Sequence, residues 1–494
     1  MICVSIGRTR HKMVMAEHRA LAERGAQLVE LRLDWLSRDP DVNRLISDRP
    51  TPVVVTCRRD SDRGRFGGPE EQRQTVLRAA IVGGAEYVDI EDDIAASIPR
   101  YGDTQRIVSH HNFEETPDDL EEIHERMCDL DPDIIKLVTM ANHPADSVRL
   151  LKLVESSEIP TIGFCMGEVG LPSRLLCCKY GAPFTYATFS SERALAPGQL
   201  SFEEMSETYH FDRLGADTRV FGVLGDPIGH SQSPLIHNAA FAADGIDAIY
   251  LPFRVPADNL NSSLSAFEWL EIGGYSVTIP HKQAVIDHAE ICDDSVTRLK
   301  AANTLFRGDT GTWSASNTDL PAAIDTLLTA LDSSGQSRSL SGRKCLVLGA
   351  GGAARAIAGG LVDAGCGVTV SGRTRQRASA LAEELGCQDV SWENRGAQFA
   401  DILVNCTPVG MHPHVDDSPF EPQWLGDSTL VFDTVYNPEN TMLLKQAKER
   451  GCPTVSGVEM FIRQAALQYE TFTGRMAPMD LMRDTLRRGI SAVR

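Results

Sequence analysis

Along the first two hundred residues, apolar positions gather in short β-rich runs at 2–5, 27–33, 53–57, 87–90, 106–109, 134–137, 161–165 and 184–189, with helix-like segments between them. Strand and helix patterns in alternation imply parallel βαβ units, and eight of them predict a (β/α)8 TIM barrel over residues 1–213. A helix-like run at 202–213 gives way to the polar stretch 214–218, which reads as a linker. A new strand follows at 219–224, and a second low-complexity stretch, 332–339, leads into the apolar strand 344–348.

Chemistry in such a barrel sits at the C-terminal ends of its strands. Polar residues are dense there. Glu30 and Arg32 share one face of the second strand by alternation. The third strand runs into Arg58, the fourth ends Asp89-Ile90-Glu91, and the fifth ends Ser109-His110-His111-Asn112. Lys136 lies inside the apolar run Ile134-Ile135-Lys136-Leu137-Val138, so it either snorkels or is held in the barrel mouth. Burial disfavours the charged form of a lysine, at about 1.4 kcal/mol per pH unit, and a neutral amine attacks carbonyls. Spacing alone leaves a Schiff-base lysine, a phosphate contact and an ion-pair partner all open.

These residues, with Thr56-Cys57-Arg58, Ser173-Arg174-Leu175 and Ala196-Pro197-Gly198-Gln199, stand in the order of the type I 3-dehydroquinate dehydratases, which residues 1–210 resemble. The resemblance implies that Lys136 forms an imine with the substrate ketone and that His111 is the general acid/base. It further implies that Arg174 clamps the substrate carboxylate, that Glu30, Arg32, Arg58 and Gln199 hold its hydroxyls, and that no cofactor is needed. Two positions depart from the family. Asp62, followed by Arg63-Gly64, stands where a glutamate before Gly-Gly is usual, and assists His111 only if its loop moves inward. Leu195 stands where a Ser or Thr is common. Asp89 and Glu91 are expected to brace strand ends, His110 to pack or face solvent, and His124 and His143 to be solvated.

The strand at 344–348 opens onto Gly349-Ala350-Gly351-Gly352-Ala353-Ala354-Arg355 and then a helical pattern, the strand–turn–helix setting of a dinucleotide fingerprint. Its glycines let backbone N–H groups approach a pyrophosphate at a helix N-terminus. An NAD site would end the next strand in an acidic residue. This chain reads Gly372-Arg373-Thr374-Arg375-Gln376-Arg377 instead, which suits a 2′-phosphate.

From residue 219 onward an ordered series resembles the shikimate dehydrogenases: Gly225 through Pro234, Val277 through Lys282, Ala302-Asn303-Thr304, Asn317-Thr318-Asp319, Asn405 through Met411, Asp433 through Pro438 and Gly457 through Gln464. The resemblance implies a substrate lobe at 219–330, to which helices within 456–494 return, and a Rossmann NADP lobe at 340–455. It makes Lys282 and Asp319 the catalytic pair. Ser231 and Ser233 would take the substrate carboxylate, and Thr278, Asn303, Tyr436 and Gln464 its hydroxyl face. Gly349, Ala350, Gly351, Gly352, Ala353, Arg373, Thr374, Arg377, Thr407 and Gly457 would hold NADP(H). Ser276, Leu320-Pro321-Ala322 and Gly372 depart from the family pattern.

The two resemblances imply consecutive reactions, 3-dehydroquinate to 3-dehydroshikimate and then to shikimate. Alternatives are a class I aldolase or transaldolase barrel, a quinate dehydrogenase second half, or a barrel kept as a metabolite sensor. The Ser-His-His-Asn strand end and the Ala-Pro-Gly-Gln loop speak against an aldolase, and retention of Lys136 and His111 against a sensor.

The length of 494 residues exceeds what one hydrophobic core supports. A net charge of −20 excludes a sequence-independent nucleic-acid binder and makes any anion site a local basic cluster. Twelve scattered cysteines without a C-x-x-C pair indicate reduced thiols and no metal. With a strand from Met1 onward, no leader-like segment and no membrane-length apolar run, a cytoplasmic location is expected.

Overall fold

All eight apolar runs of the first half form strands: β1 (Ile2–Ile6), β2 (Leu28–Arg32), β3 (Val53–Thr56), β4 (Tyr87–Glu91), β5 (Gln105–His111), β6 (Ile134–Met140), β7 (Thr161–Met166) and β8 (Thr185–Thr188). Parallel ladders join them in the order β7-β6-β5-β4-β3-β2-β1-β8. Most of their residues are buried, as expected for parallel strands covered on both faces. The structure is a computed structural model describing residues 1–193, 195–308 and 310–491. It divides into two units, Met1–Val220 with Gly245–Ile272, and Phe221–Asp244 with Gly273–Arg494.

Among the described residues no ladder joins β7 to β8, and side chains fill that seam. The Arg174 guanidinium lies 4.2 Å from the centroid of the Phe164 ring on β7, and its Nη1 donates to the Tyr186 carbonyl on β8 at 3.4 Å. The rings of Phe164 and Tyr186 are 6.3 Å apart.

Two local expectations are corrected. The run at 202–213 is not one helix: a π-helical turn, Glu204–Thr208, and a 3-10 turn, Phe211–Arg213, are separated by His210 at φ 45°, a left-handed residue that interrupts the hydrogen-bond ladder. His124 is buried rather than solvated, because it lies on the inner face of the helix Leu120–Cys128, with Nε2 3.2 Å from Thr161 Oγ1.

The second half holds two sheets. β9 (Arg219–Gly225), β10 (Ala248–Arg254), β11 (Gly274–Val277), β12 (Ile291–Cys292), β13 (Thr304–Arg307) and β14 (Trp313–Ser316) form a mixed sheet in the order β10-β9-β11-β13-β14-β12. β15 (Lys344–Leu348), β16 (Gly367–Gly372), β17 (Gln388–Ser391), β18 (Ile402–Asn405), β19 (Leu430–Asp433) and β20 (Thr454–Val455) form a parallel sheet in the order β17-β16-β15-β18-β19-β20. That is the doubly wound order, whose direction reverses between β15 and β18, where such sheets bind ligands.

The helix Gly457–Thr473 runs from this sheet back toward the mixed one: Gln468 Nε2 donates to the Asn303 carbonyl at 3.0 Å, and its Oε1 accepts from Ser276 Oγ at 2.7 Å. Its first residue must be glycine, since a Cβ there would stand 2.4 Å from the Thr434 carbonyl oxygen. The last three residues of the segment 456–494 lie outside the described residues. Among the described residues all twelve cysteines are free, no group of side chains could hold a metal ion, and no helix is long and apolar enough to cross a membrane.

His18, buried in the first unit with Nε2 2.8 Å from Thr51 Oγ1, is pushed down from 6.5 to about 4 by burial and by the charge of Arg49. The unfolded chain therefore binds a proton here between those pH values that the folded chain refuses. Stability present above pH 6.5 is lost as pH falls toward 4, by on the order of 3 kcal/mol. Denaturant titrations at pH 7 and pH 4.5 should show a smaller loss in His18→Gln than in the wild type; equal losses would refute this origin.

Candidate active sites

The C-terminal ends of the barrel strands line one cavity. Its walls include Ser5, Glu30, Arg32, Arg58, Asp62, His111, Lys136, Arg174 and Gln199, so every barrel residue expected to act on or bind the substrate reaches it. Lys136, 5% exposed, does not snorkel. Its Nζ donates to Asp89 Oδ2 at 2.9 Å, lies 4.0 Å from Glu30 Oε1 and sits 4.0 Å from the centroid of the Tyr186 ring. His111 stacks on Phe113, with centroids 5.8 Å apart. Burial, then the charges of Arg58 and Lys136, hold its imidazole well below the usual histidine range, so it is neutral and able to accept a proton.

Arg174 is the unusual member. It is 2% exposed, no carboxylate approaches it within ion-pair distance among the described residues, and its Nε has no hydrogen-bond partner. Burial pushes it down to about 10. A buried guanidinium without an anion is costly, and one opening on a cavity is completed by an anionic ligand.

Other members are already engaged. Arg32 makes two hydrogen bonds to Asp34, at 2.9 and 2.8 Å. Arg58 donates to Asp89 at 2.8 Å and to Glu91 at 2.9 Å. Asp62 accepts from Arg59 Nε at 2.5 Å, and Gln199 Oε1 from the Leu195 N–H at 2.9 Å. His110 pairs with Asp92 at 2.8 Å and is not among the cavity walls; His143 caps the helix Pro144–Ser156.

Sequence reading missed Ser5, Arg63, Phe113, Phe164, Met166 and Tyr186 as cavity walls. Inward alternation on β1, β7 and β8 was the available signal for Ser5, Phe164, Met166 and Tyr186. Nothing local marks Arg63 and Phe113, which are loop residues.

In the second unit a cavity is lined by Ser231, Ser233, Thr278, Lys282, Asn303, Asp319, Ala353, Tyr436, Gly457 and Gln464, together with Ser276, Met411 and Phe461, which the sequence motifs contain without a role, and the unforeseen Gln468. Lys282 Nζ donates to Asp319 Oδ2 at 2.5 Å. Asp319 opens the helix Asp319–Ser333, where the helix dipole favours its negative charge. Asn303 Nδ2 donates to Asp319 Oδ1 at 3.0 Å and lies 3.4 Å from Gln464 Oε1. Tyr436 stacks on Phe461 at 4.4 Å.

The β15 turn reaches the same place. Gly349 sits at φ +123°, and a Cβ on it would stand 3.0 Å from the Cys406 carbonyl oxygen, whereas one on Gly351 would meet nothing. A Cβ on Gly352, first residue of the helix Gly352–Asp363, would stand 2.9 Å from Lys282 Cδ. The turn therefore abuts the Lys282 side chain and leaves open space over Gly351 for a phosphate.

Arg373, Thr374, Arg375 and Arg377 are exposed just past β16, and none of the three arginines has a carboxylate within 4.0 Å among the described residues. Thr407 donates to Asn405 Oδ1 at 2.7 Å, beside β18. Open glycines, a helix N-terminus and unpaired cations suit a dinucleotide with a 2′-phosphate.

The class these features define is a chain of two enzymes, a lysine-bearing barrel and a dinucleotide-dependent oxidoreductase. Family models match in the same order: type I 3-dehydroquinase over residues 2–215, shikimate dehydrogenase substrate binding domain over 223–305, shikimate/quinate 5-dehydrogenase over 332–418 and shikimate 5'-dehydrogenase C-terminal domain over 457–487. The chain is 38% identical over 492 residues to a chloroplastic bifunctional 3-dehydroquinate dehydratase/shikimate dehydrogenase of Arabidopsis thaliana, covering 95% of this chain and 81% of that one. It is 39% identical over 281 residues to a shikimate dehydrogenase (NADP(+)) of Methanothermobacter thermautotrophicus, covering 55% and 96%.

Among solved structures, a shikimate dehydrogenase in complex with NADP+ matches with TM-score 0.52 and 31% identity, over 56% of this chain and 97% of that one. The quinate dehydrogenase of Corynebacterium glutamicum in complex with NAD matches with TM-score 0.51 and 29% identity, over 55% and 99%. The chain belongs to the bifunctional 3-dehydroquinate dehydratase/shikimate dehydrogenase family.

An unpaired buried cation opposes folding, so Arg174→Met should raise the denaturation midpoint of the barrel, by about 1–3 kcal/mol of stability. A lower midpoint in equilibrium unfolding would show that Arg174 already has an anionic partner.

Proposed function

We propose that the barrel converts 3-dehydroquinate to 3-dehydroshikimate through an imine at Lys136, and that the second unit reduces 3-dehydroshikimate to shikimate with NADPH. The observation that carries the reading is the meeting of Lys136, neutral His111 and unpaired Arg174 in one cavity. Arg174 takes the substrate carboxylate and places the ketone against Lys136. Lys136 Nζ adds to the carbonyl, water leaves, and the iminium acidifies the adjacent C–H. His111 accepts that proton and returns it to the departing β-hydroxyl, which leaves as water; hydrolysis then frees Lys136. Glu30, Arg32, Arg58 and Gln199 orient the ring, and Asp62 reaches His111 only if Arg59 releases it.

In the second unit Ser231 and Ser233 hold the carboxylate, and Thr278, Asn303, Tyr436 and Gln464 the hydroxyl face. The 349–353 turn, Thr407 and Gly457 would hold NADPH, with Arg373, Thr374 and Arg377 toward its 2′-phosphate, and the cofactor would supply the hydride. Lys282 donates the proton to the carbonyl oxygen, and Asp319 fixes and charge-balances it. The domain limits 1–213, 219–330 with 456–494, and 340–455 are part of this reading. Twelve free cysteines favour a reducing compartment such as the cytoplasm.

Borohydride with 3-dehydroquinate should leave an adduct on the Lys136 peptide by mass spectrometry, absent in Lys136→Ala; dehydratase turnover in that variant would end the imine mechanism. His111→Ala should still trap the adduct while losing about 10²–10⁴-fold in turnover. For the second unit, charge-assisted contacts of about 1.5–3 kcal/mol imply at least a tenfold preference for NADP over NAD. Arg373→Ala should raise KM for NADP far more than for NAD with kcat little changed; a wild type indifferent between the two would refute the arginine assignment.

A further inference from the structure

We propose that Asp89 is a positioning residue of the dehydratase: it aims the Lys136 amine and remains its fixed counter-ion when that nitrogen becomes an iminium. The inference rests on the imine reading above.

Asp89 lies on β4 and Lys136 on β6, with β5 between them. Ser109, in register with Lys136 on β5, is small enough for the carboxylate to reach past it. The two carboxylate oxygens have separate tasks. Oδ1 accepts from Arg58 Nη2 at 2.8 Å and from Ser109 Oγ at 2.6 Å, while Oδ2 accepts from Lys136 Nζ at 2.9 Å. Behind them Arg58 Nη1 binds Glu91 at 2.9 Å, and Glu91 binds the fully buried Arg73 at 2.6 Å. The chain Lys136–Asp89–Arg58–Glu91–Arg73 alternates in sign throughout.

Burial would raise the Asp89 carboxyl, but the charges of Arg58 and Lys136 hold it well below the usual carboxylate range, so it stays an anion. An anion so fixed cannot swing away when the ammonium becomes an iminium, and it offsets the same positive charge in both. The other groups facing Lys136 are Cys3 on β1, Glu30 on β2, Arg58 just past β3, His111 on β5 and Tyr186 on β8. Only Asp89 accepts a hydrogen bond from its nitrogen among the described residues.

Removing the anion has two effects of opposite sign. A nearby anion favours the charged form of a cation, so its loss favours the uncharged amine but leaves the iminium less stabilised. In the full-length chain, Asp89→Asn should lower kcat for 3-dehydroquinate about 10–100-fold, while the acid limb of kcat/KM moves at least one pH unit lower. An opposite charge within about 4–6 Å displaces a titration by about 1–3 pH units. The borohydride adduct on Lys136 should still form.

Glu91→Gln disturbs the same buried network without touching Lys136 and should leave the acid limb in place. An unmoved limb in Asp89→Asn, or an equal movement in Glu91→Gln, would overturn the proposal. If Asp89→Asn does not fold, Ser109→Ala decides: losing one donor to Oδ1 leaves more anionic charge on the lysine, so the limb should move to higher pH, and no movement overturns the assignment. Absence of the adduct in the wild type would instead defeat the imine reading itself, and this inference with it.

Discussion

Several charges stand where parallel strands end inside the barrel, and a buried charge is tolerated only when another charge, or a ligand, answers it. Lys136, Asp89, Arg58, Glu91 and Arg73 answer one another in sequence, each partner at 2.6–2.9 Å. Among the described residues no acid answers the buried Arg174, beside the same cavity. The contrast organises the site. The linked charges form a wall against which the lysine is held, and Arg174 stands outside that chain.

The second unit handles charge differently. Lys282 and Asp319 form a close pair at a helix N-terminus, joined through Asn303 to Gln464 on the returning helix. The polar residues around the pair come from strands, loops and a helix more than a hundred residues apart, so the site exists only once the chain has come back on itself. The glycine turn after β15 lies against the Lys282 side chain so closely that a Cβ on Gly352 would stand 2.9 Å from Lys282 Cδ. Against a net charge of −20, the exposed arginines past β16 form a local basic cluster.

The two chemistries are chemically consecutive. The proposed product of the barrel is a ketone of the kind the dehydrogenase family reduces; Arg174 lines the barrel cavity, and the hydroxyl-bearing Ser231 and Ser233 line the other. The Asp62 position shows how much a loop can alter within that scheme. It lines the cavity, yet its carboxylate is taken by Arg59, which also binds Asp93.

The strand pattern was legible because parallel strands buried on both faces are nearly continuous apolar runs, and a lysine or glutamate inside one stands out. All eight barrel strands and the 344–348 strand with its glycine turn were read directly. Lys136 stood out inside its apolar run, whereas His111, Arg174 and the Lys282–Asp319 pair were singled out only through family resemblances carried by short motifs.

What folding alone decided was partnership. Whether Asp89 braces a strand or holds the lysine depends on a side chain crossing beneath a serine on the strand between. Whether Arg174 has an acid depends on every strand around it, and the left-handed His210 breaks a run whose composition is helical. Local pattern records which residues are buried and in what order. Distances between residues far apart in the chain follow only from the packing that closes the barrel and returns the last helices to their lobe.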